Sequence, residues 1–390
     1  MVSPLKILFC SHEQFYPLSG GGTAGSIAIV NKMVQRGHDV TVMTPLYTDR
    51  KPLENKFGVK IEPFSPFYMH RDISLRGPKY LIYGALSSVY LLKKILQEDY
   101  DIVLIKHGVI GALGGLFNRF TNPKFAITYT DFLSAFLYES NYPNWIVNLM
   151  LSFERKIPKP FDRAFVITPK MKKEMINSGV DRNKIFVTYD GVDTDFFDPN
   201  KISHSQISKV KDEIGFDENI VIFHGTIEPF HGIKLMEKII FKNKDLNFLV
   251  IGGGRGYEKL KKNVNSKNVL FKNFVPYTEM PKYIAASNVG MIPYKPNYNL
   301  NCVLTLKLLE YLSMGNPVVS TNLESVSDIF GSYPFVRISN NTTEFSNNLH
   351  DMIKMEKSSE SIALIKESYS WDAVTTRISE KLEDLASPTR

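Results

Sequence analysis

Short apolar runs alternate with helical stretches along this chain, and the alternation starts twice. The runs "KILFCS", "HDVTVMTP", "DIVLIKHG", "KFAITYTD", "DRAFVITP" and "KIFVTYDG" each read as a buried strand. Stretches such as "SIAIVNKMVQRG" lie between them and repeat their apolar positions at helical spacing. At "DPNKISHSQISKVKDEIG" the text turns polar, and a second series begins with "NIVIFHG", "LNFLVIGGG", "NVLFKNFV", "VGMIPY" and "NPVVST". Apolar strands separated by helices imply a mainly parallel sheet covered on both faces. The restart implies two of them, and 390 residues are more than one core usually serves. The expected organisation is a first α/β domain over 1–198 and a second over 199–368. An amphipathic helix over 369–390 would then cross back to the first domain, with Trp371, Val374, Ile378, Leu382 and Leu385 at helical spacing.

Composition narrows the class. The chain is 43% apolar and 22% charged, ordinary for a soluble globular protein. Cys10 and Cys302 give neither a disulfide framework nor zinc-like spacing, which suits a reducing compartment. The first apolar run is too short for a signal peptide, and "YLIYGALSSVYLL" is too short to span a bilayer. A cytoplasmic protein is expected. Of the net charge of +7, residues 1–198 hold +5, from 24 Lys and Arg against 19 Asp and Glu. Within residues 155–173, Arg155, Lys156, Lys159, Arg163, Lys170, Lys172 and Lys173 face Asp162 alone. Such a cluster suits anionic headgroups or phosphorylated substrates, or is simply a solvated face. No nucleic-acid motif accompanies it, so nucleic acid is not an expected partner.

Ligands of open parallel sheets sit beyond the carboxyl ends of the strands, so those loops are the candidate sites. The first strand leads into Gly20, Gly21 and Gly22 before a helix. Glycines let a ligand approach the backbone, and a helix start offers N–H groups to an anion. No Gly-Lys-Ser/Thr follows, which excludes a P-loop. "HGTIEPFHG" puts His231 at a helix start, able to hydrogen-bond or carry charge to a phosphate, or to sit at the surface. "VIGGGRGYEKL" has its glycines after the second strand of its domain with the last one misplaced, which counts against a nicotinamide cofactor. In "TLKLLEYLSMGNPVVS", Lys307 and Glu310 lie three residues apart on one helix face. A buried carboxylate is costly unless something pairs with it. A diphosphate over that helix start, with a ribose diol on Glu310, would meet the need. The alternative is an exposed surface pair worth about 0.2–0.5 kcal/mol.

Taken together, the glycine loop, "RGHDVTVMTP", "YDGVDTDFF", "HGTIEPFHG", "VIGGG" and "KLLEYLSMGNPVVST" resemble the group 1 family of retaining GT-B glycosyltransferases. The resemblance runs nearly end to end. It implies an α/β protein of two Rossmann-like domains whose parallel sheets face a central cleft. It implies a nucleotide diphosphate sugar, UDP or GDP, as donor, and neither metal nor cofactor. Carried onto this chain, Glu310 holds the ribose and the backbone at Leu304 and Thr305 meets the diphosphate. Gly21 and Gly22 close over it, and the segment from Phe274 and Val275 to Pro276 flanks the base. The family's Glu-x7-Glu is incomplete, with Cys302 at the first position, as in a subset that keeps Lys-Leu-x-Glu. Its usual Arg and Lys in the second-domain phosphate loop correspond to Thr226 and His231. Two fixed charges thus give way to a hydroxyl and a titratable ring, leaving Lys307 or Arg255 to compensate.

The expected reaction moves a hexose to an acceptor hydroxyl with retention. Asp131, at a strand end, either orients that acceptor and assists proton removal or caps the helix "TDFLSAF". Arg155, Lys156, Lys170, Lys172 and Lys173, with the aromatic stretch Phe64 to Tyr83, favour a lipid-linked or membrane-borne acceptor glycan. The enzyme would then be peripheral on the cytoplasmic membrane face. A rival reading is a weak homologue that binds a nucleotide-sugar or a partner glycosyltransferase.

Overall fold

The computed structural model describes residues 3–16, 21–45, 49–64, 78–106, 108–132, 134, 137, 142–228 and 231–387. The chain divides into two compact units, one of residues 1–190 with 371–390 and one of residues 191–370.

The first unit holds a seven-stranded sheet. Its strands are β1 (Lys6–Cys10), β2 (Asp39–Thr44), β3 (Lys60–Pro63), β4 (Ile102–Lys106), β5 (Lys124–Tyr129), β6 (Arg163–Val166) and β7 (Ile185–Val187). They run in the order β3-β2-β1-β4-β5-β6-β7, and every pairing is parallel. The second unit holds β8 (Ile220–Thr226), β9 (Asn247–Gly253), β10 (Val269–Lys272), β11 (Val289–Ile292), β12 (Val318–Thr321) and β13 (Val336–Ser339). Their order, β10-β9-β8-β11-β12-β13, is again parallel throughout. Both sheets are therefore doubly wound α/β layers. Each has a switch point, between β1 and β4 and between β8 and β11, where the winding reverses and a crevice opens at the carboxyl edge.

The sequence explains these layers. β4 is "IVLIK", buried at every position, as a central parallel strand must be. The core of the first unit joins Ile7, Phe9, Val40, Val42, Ile102, Leu104 and Ala126 to Val374, Ile378 and Leu382 of the helix Trp371–Ala386. That helix lies along the helix Gly21–Gln35. Gly25 admits the Trp371 ring, since a Cβ there would stand 3.0 Å from it. Arg36 donates to Glu383 at 2.6 Å, and His38 Nε2 lies 3.1 Å from the same carboxylate. The final helix is thus part of the first unit, fixed by apolar contacts and by the ion pair of the exposed Arg36 with the buried Glu383.

Two local findings differ from the sequence reading. The stretch taken as a featureless boundary contains the helix His204–Ile214, started by a Ser203/Gln206 capping box and ended by Gly215 at φ 72°. Its polar surface hides a short apolar side, Val210 and Ile214. Residues 191–198, expected at the end of the first domain, go with the second unit. There Phe196 and Phe197 pack on Tyr277, and Ser313 Oγ donates to Phe197 O at 2.7 Å.

Candidate functional site

The carboxyl edge of the second sheet gathers most of the expected donor residues. β8 ends in His224, Gly225 and Thr226, and β9 in Gly252 and Gly253. Gly252 is obligatory, because it sits at φ +153° and a Cβ on it would fall 1.9 Å from Gly225 O. The helix Leu306–Ser313 starts at the same edge. Its N-cap, Thr305, makes no side-chain cap, so the positive end of the helix is left to the backbone alone. Leu304 is buried and Thr305 half-buried at this start. Thr226 is exposed at the strand end.

Lys307 and Glu310 are both buried, so they are not an exposed surface pair. Nor are they partners. Lys307 donates to the Tyr294 hydroxyl, and its ammonium lies 4.4 Å and 4.8 Å from the ring centres of Phe223 and Tyr294. Cation–π contact of this kind holds a charge where water is scarce. Glu310 Oε1 accepts from Tyr277 at 2.8 Å. Its Oε2 lies 3.0 Å from His224 Nε2, near enough for an ion pair but outside hydrogen-bond alignment. Burial pushes the Glu310 carboxyl up, but His224, Tyr277 and Lys307 outweigh it, and the group titrates below its ordinary range. The expectation that solvent or a sugar diol pairs with this carboxylate is therefore amended: Tyr277 already donates to one oxygen, and His224 stands beside the other. Tyr277 feels the converse: its ring is largely exposed, but desolvation of the hydroxyl and the Glu310 charge push its pKa up.

His231 is not a charge carrier in this structure. Its Nδ1 accepts from the Glu228 N–H at 3.1 Å, so Nε2 bears the proton of the neutral ring. The ring stacks on Tyr294 at 4.5 Å. Burial and then the Lys307 charge push its pKa down to about 3. A backbone hydrogen bond with Thr226 works weakly in the other direction. Arg255, expected to make up the missing charge, is exposed and donates to Glu228 at 2.8 Å. Phe274 is also exposed, with its ring edge against Gly253, and Val275 beside it is half-buried. His224, Tyr277 and Tyr294 escaped the sequence reading. One signal was available for His224: a polar residue at the end of an otherwise apolar strand.

The first sheet carries its own charged group at its switch point. Lys106, buried at the end of β4, donates to Glu13 just after β1, and His12 Nε2 lies 3.8 Å from Glu13. Burial raises the Glu13 carboxyl, Lys106 and His12 lower it more, and Asp131 raises it slightly, leaving it below its ordinary range. Asp131 is thus near enough for Glu13 to feel its charge, and Glu13, Lys106 and His12 are three residues that the sequence reading missed. Much of the helix that Asp131 would cap lies outside the described residues. Gly21 and Gly22 open the helix Gly21–Gln35, while residues 17–20 before them, and residues 65–77 of the aromatic stretch, also lie outside.

The basic cluster is less bare than its sequence suggests. Glu174, one residue past its end, lies 3.0 Å from Arg155 and 3.3 Å from Lys170. Arg163 donates to Lys381 O. Lys156 and Lys173 stay exposed and Lys172 half-exposed. Among the described residues, no group of three or more His, Cys, Asp or Glu side chains is placed to hold a metal ion, and no helix is long and apolar enough to cross a membrane.

Two doubly wound units, each built on a parallel sheet, are the architecture of the GT-B fold. The matches to known families agree. Residues 19–196 match the family model for Glycosyltransferase Family 4 and residues 218–355 that for Glycosyl transferases group 1, which supports a GT-B group 1 glycosyltransferase. Among curated relatives, the chain is 28% identical over 202 residues to TuaH of Bacillus subtilis (strain 168), named for a glycosyltransferase role in teichuronic acid biosynthesis. That match covers 48% of this chain and about half, 49%, of the relative. Among solved structures, a glycosyltransferase of Rickettsia africae aligns with TM-score 0.71 over 99% of this chain and 100% of that one, at 14% identity. Anabaena HepE, solved with UDP and glucose, aligns with TM-score 0.71 over 97% and 99%, at 16% identity. At such identities the structures speak for the fold.

Proposed function

We propose that the chain transfers a hexose from a nucleotide diphosphate sugar, UDP or GDP, to the hydroxyl of a lipid-linked or membrane-borne acceptor, with retention and without a metal. The observation that carries this reading is the second switch point, where Lys307 and Glu310 are buried on one short helix whose start has no side-chain cap. The diphosphate lies over that start, near the Lys307 ammonium and the His231 Nε2–H. The ribose donates to Glu310 in place of, or beside, Tyr277. Gly21, Gly22, Thr226, Phe274 and Val275 remain the residues proposed to line the donor. HepE was solved with UDP-glucose, which makes UDP-sugars the first donors to try.

The bond broken joins sugar C1 to the diphosphate oxygen, and the negative charge gathers on the leaving group. The acceptor oxygen forms the new bond to C1 on the face that the diphosphate leaves. Its proton passes to a phosphate oxygen, so no protein nucleophile is needed. Asp131, supported by Glu13 and Lys106, orients the acceptor hydroxyl.

A second reading, a homologue that binds the donor without turning it over, draws on one observation. Of the cations available to a diphosphate, Arg255 is tied to Glu228 and Lys307 to Tyr294, and His231 is neutral. A thermal-shift series with UDP-, GDP- and ADP-sugars finds the donor, since a ligand of the native state raises Tm. Release of nucleotide diphosphate that depends on added acceptor then separates the readings. The transferase reading expects it, with the anomeric configuration kept in the product. Donor binding without release favours the second reading, and no shift with any nucleotide sugar defeats both.

A further inference from the structure

We propose that the outer face of the helix Asn144–Glu154, with the cations that follow it, docks on an anionic lipid bilayer. The proposal stands on this surface alone and does not need the donor site.

The helix "NWIVNLMLSFE" is anchored on one side. Val147 and Leu151 are buried, and the Glu154 carboxylate, also buried, accepts from the Ser134 N–H at 2.8 Å. The opposite side presents Trp145, Leu149 and Phe153, which are 69%, 64% and 54% exposed. Spacing of four residues sets them in one row. Glu154 is the only charged residue of the helix and it points inward. A helix on the surface of a globular protein normally turns polar and charged residues to water. This one turns a tryptophan, a leucine and a phenylalanine outward beside Asn144 and Asn148, and no charge.

The row belongs to a wider pattern. Of fourteen large apolar side chains exposed among the described residues, eleven belong to residues 82–153 of the first unit. They include Leu116 and Phe120, on a segment tied to the turn after this helix by the bond from Asn118 Nδ2 to Pro160 O, 2.7 Å. A concentration of exposed apolar side chains of this sort on one unit points to an interaction site.

Charge identifies the occupant. The row runs directly into Arg155 and Lys156. Glu174, 3.0 Å from Arg155, draws the helix Pro169–Asn177 to the same corner, and with it Lys172 and Lys173. Lys156, Lys159, Lys172 and Lys173 have no carboxylate partner among the described residues. An aromatic and leucine face bordered by free lysines is the pattern of a helix lying in a membrane interface, with tryptophan at headgroup depth and lysines on anionic lipid. A second copy of the chain would bring the same cations against these, which disfavours self-association.

The test uses the full chain with phosphatidylcholine vesicles, with and without phosphatidylglycerol. The expected result is sedimentation with the anionic vesicles only, roughly tenfold weaker in high salt, and a blue shift of tryptophan fluorescence as Trp145 leaves water. The combined Trp145→Ser, Leu149→Ser and Phe153→Ser variant should lose vesicle binding by roughly tenfold or more at unchanged salt. The Lys156→Glu, Lys172→Glu and Lys173→Glu variant should abolish the preference for phosphatidylglycerol. The proposal is overturned if the wild type pellets with neither vesicle, or if the serine variant binds like the wild type. A wild-type dimer that the serine variant turns into monomers, without vesicle binding, overturns it in favour of a second copy.

Discussion

Two regions of this molecule break the ordinary rule of burial, in opposite directions. At the second switch point a lysine and a glutamate are inside. On the helix Asn144–Glu154 a tryptophan, a leucine and a phenylalanine are outside. Buried charges and exposed apolar rows are the informative exceptions on a protein surface. They differ in what holds them there. Glu310 is held by Tyr277 and His224, so the folded chain depends on it. Trp145, Leu149 and Phe153 are expected to give the folded chain little, since their surface stays in water. The first region should therefore be sensitive in both stability and binding, and the second in binding alone.

The sharpest way to break this contrast is Glu310→Ala. Removing the carboxylate takes away the acceptor of the Tyr277 hydroxyl and the negative charge beside His224, at a cost of about 1–3 kcal/mol. Urea unfolding should show that loss, and calorimetry with the donor found by thermal shift should show weakened binding. Glu310→Gln separates the two effects, because it keeps the shape and a hydrogen-bond acceptor for Tyr277. Full donor affinity in the glutamine variant would leave Glu310 a structural residue and remove the ribose from the proposal.

A smaller effect comes from His231. The unfolded ring titrates near 6.5 and the folded ring near 3. Below 6.5 the unfolded chain takes up a proton that the folded chain refuses until pH 3, so stability falls as pH drops through this window. The slope from this group is about 1.4 kcal/mol per pH unit. Urea midpoints at pH 6.5, 5.5 and 4.5 should show it in the wild type, with a shallower slope in His231→Asn. Equal slopes would mean that the ring is more open to water than its packing on Tyr294 indicates. Bound diphosphate should flatten the slope as well, by favouring the protonated ring.

The sequence made one of these regions far more legible than the other. Strand and helix alternation fixes two parallel sheets, because a strand apolar at every position can only be central. "KLLEYLSMGNPVVS" points to the second switch point for a related reason: Lys307 and Glu310 interrupt an otherwise apolar helix. Their partners are another matter. Tyr277 and Tyr294 reach the site from loops after β10 and β11, and no local pattern announces where a tyrosine hydroxyl will end. The cluster of His12, Glu13 and Lys106 escaped for the same reason, since it forms only when β1 and β4 become neighbours across the switch point. Charge counting along the chain overstated the basic patch, because Glu174 stands just beyond the window counted and folds back onto Arg155 and Lys170. The apolar row was invisible for a deeper reason. "NWIVNLMLSFE" carries apolar residues on two sides, with Asn144, Asn148 and Ser152 as a polar stripe along one edge, and only packing decides that Val147 and Leu151 go inside while Trp145, Leu149 and Phe153 stay out.

The smallest expected effect tests the other half of the comparison. Replacing Trp145, Leu149 and Phe153 by serine removes side chains that are more than half exposed, so each change should shift stability by no more than about 0.5 kcal/mol. Serine is a poorer helix former than leucine by a few tenths of a kcal/mol, which sets a floor on the loss. Urea midpoints should therefore stay close to the wild-type value while the slope with denaturant is unchanged. The quantity to watch is the sum. If the triple variant loses several kcal/mol, the row is packed against something in the folded chain, and the vesicle result would have to be read as unfolding. If it loses almost nothing and vesicle binding still collapses, the row has its energetic role in an encounter with another surface. The contrast with Glu310 is then one of mechanism: one group is kept in place by the fold that needs it, the other by a contact that the isolated chain does not make.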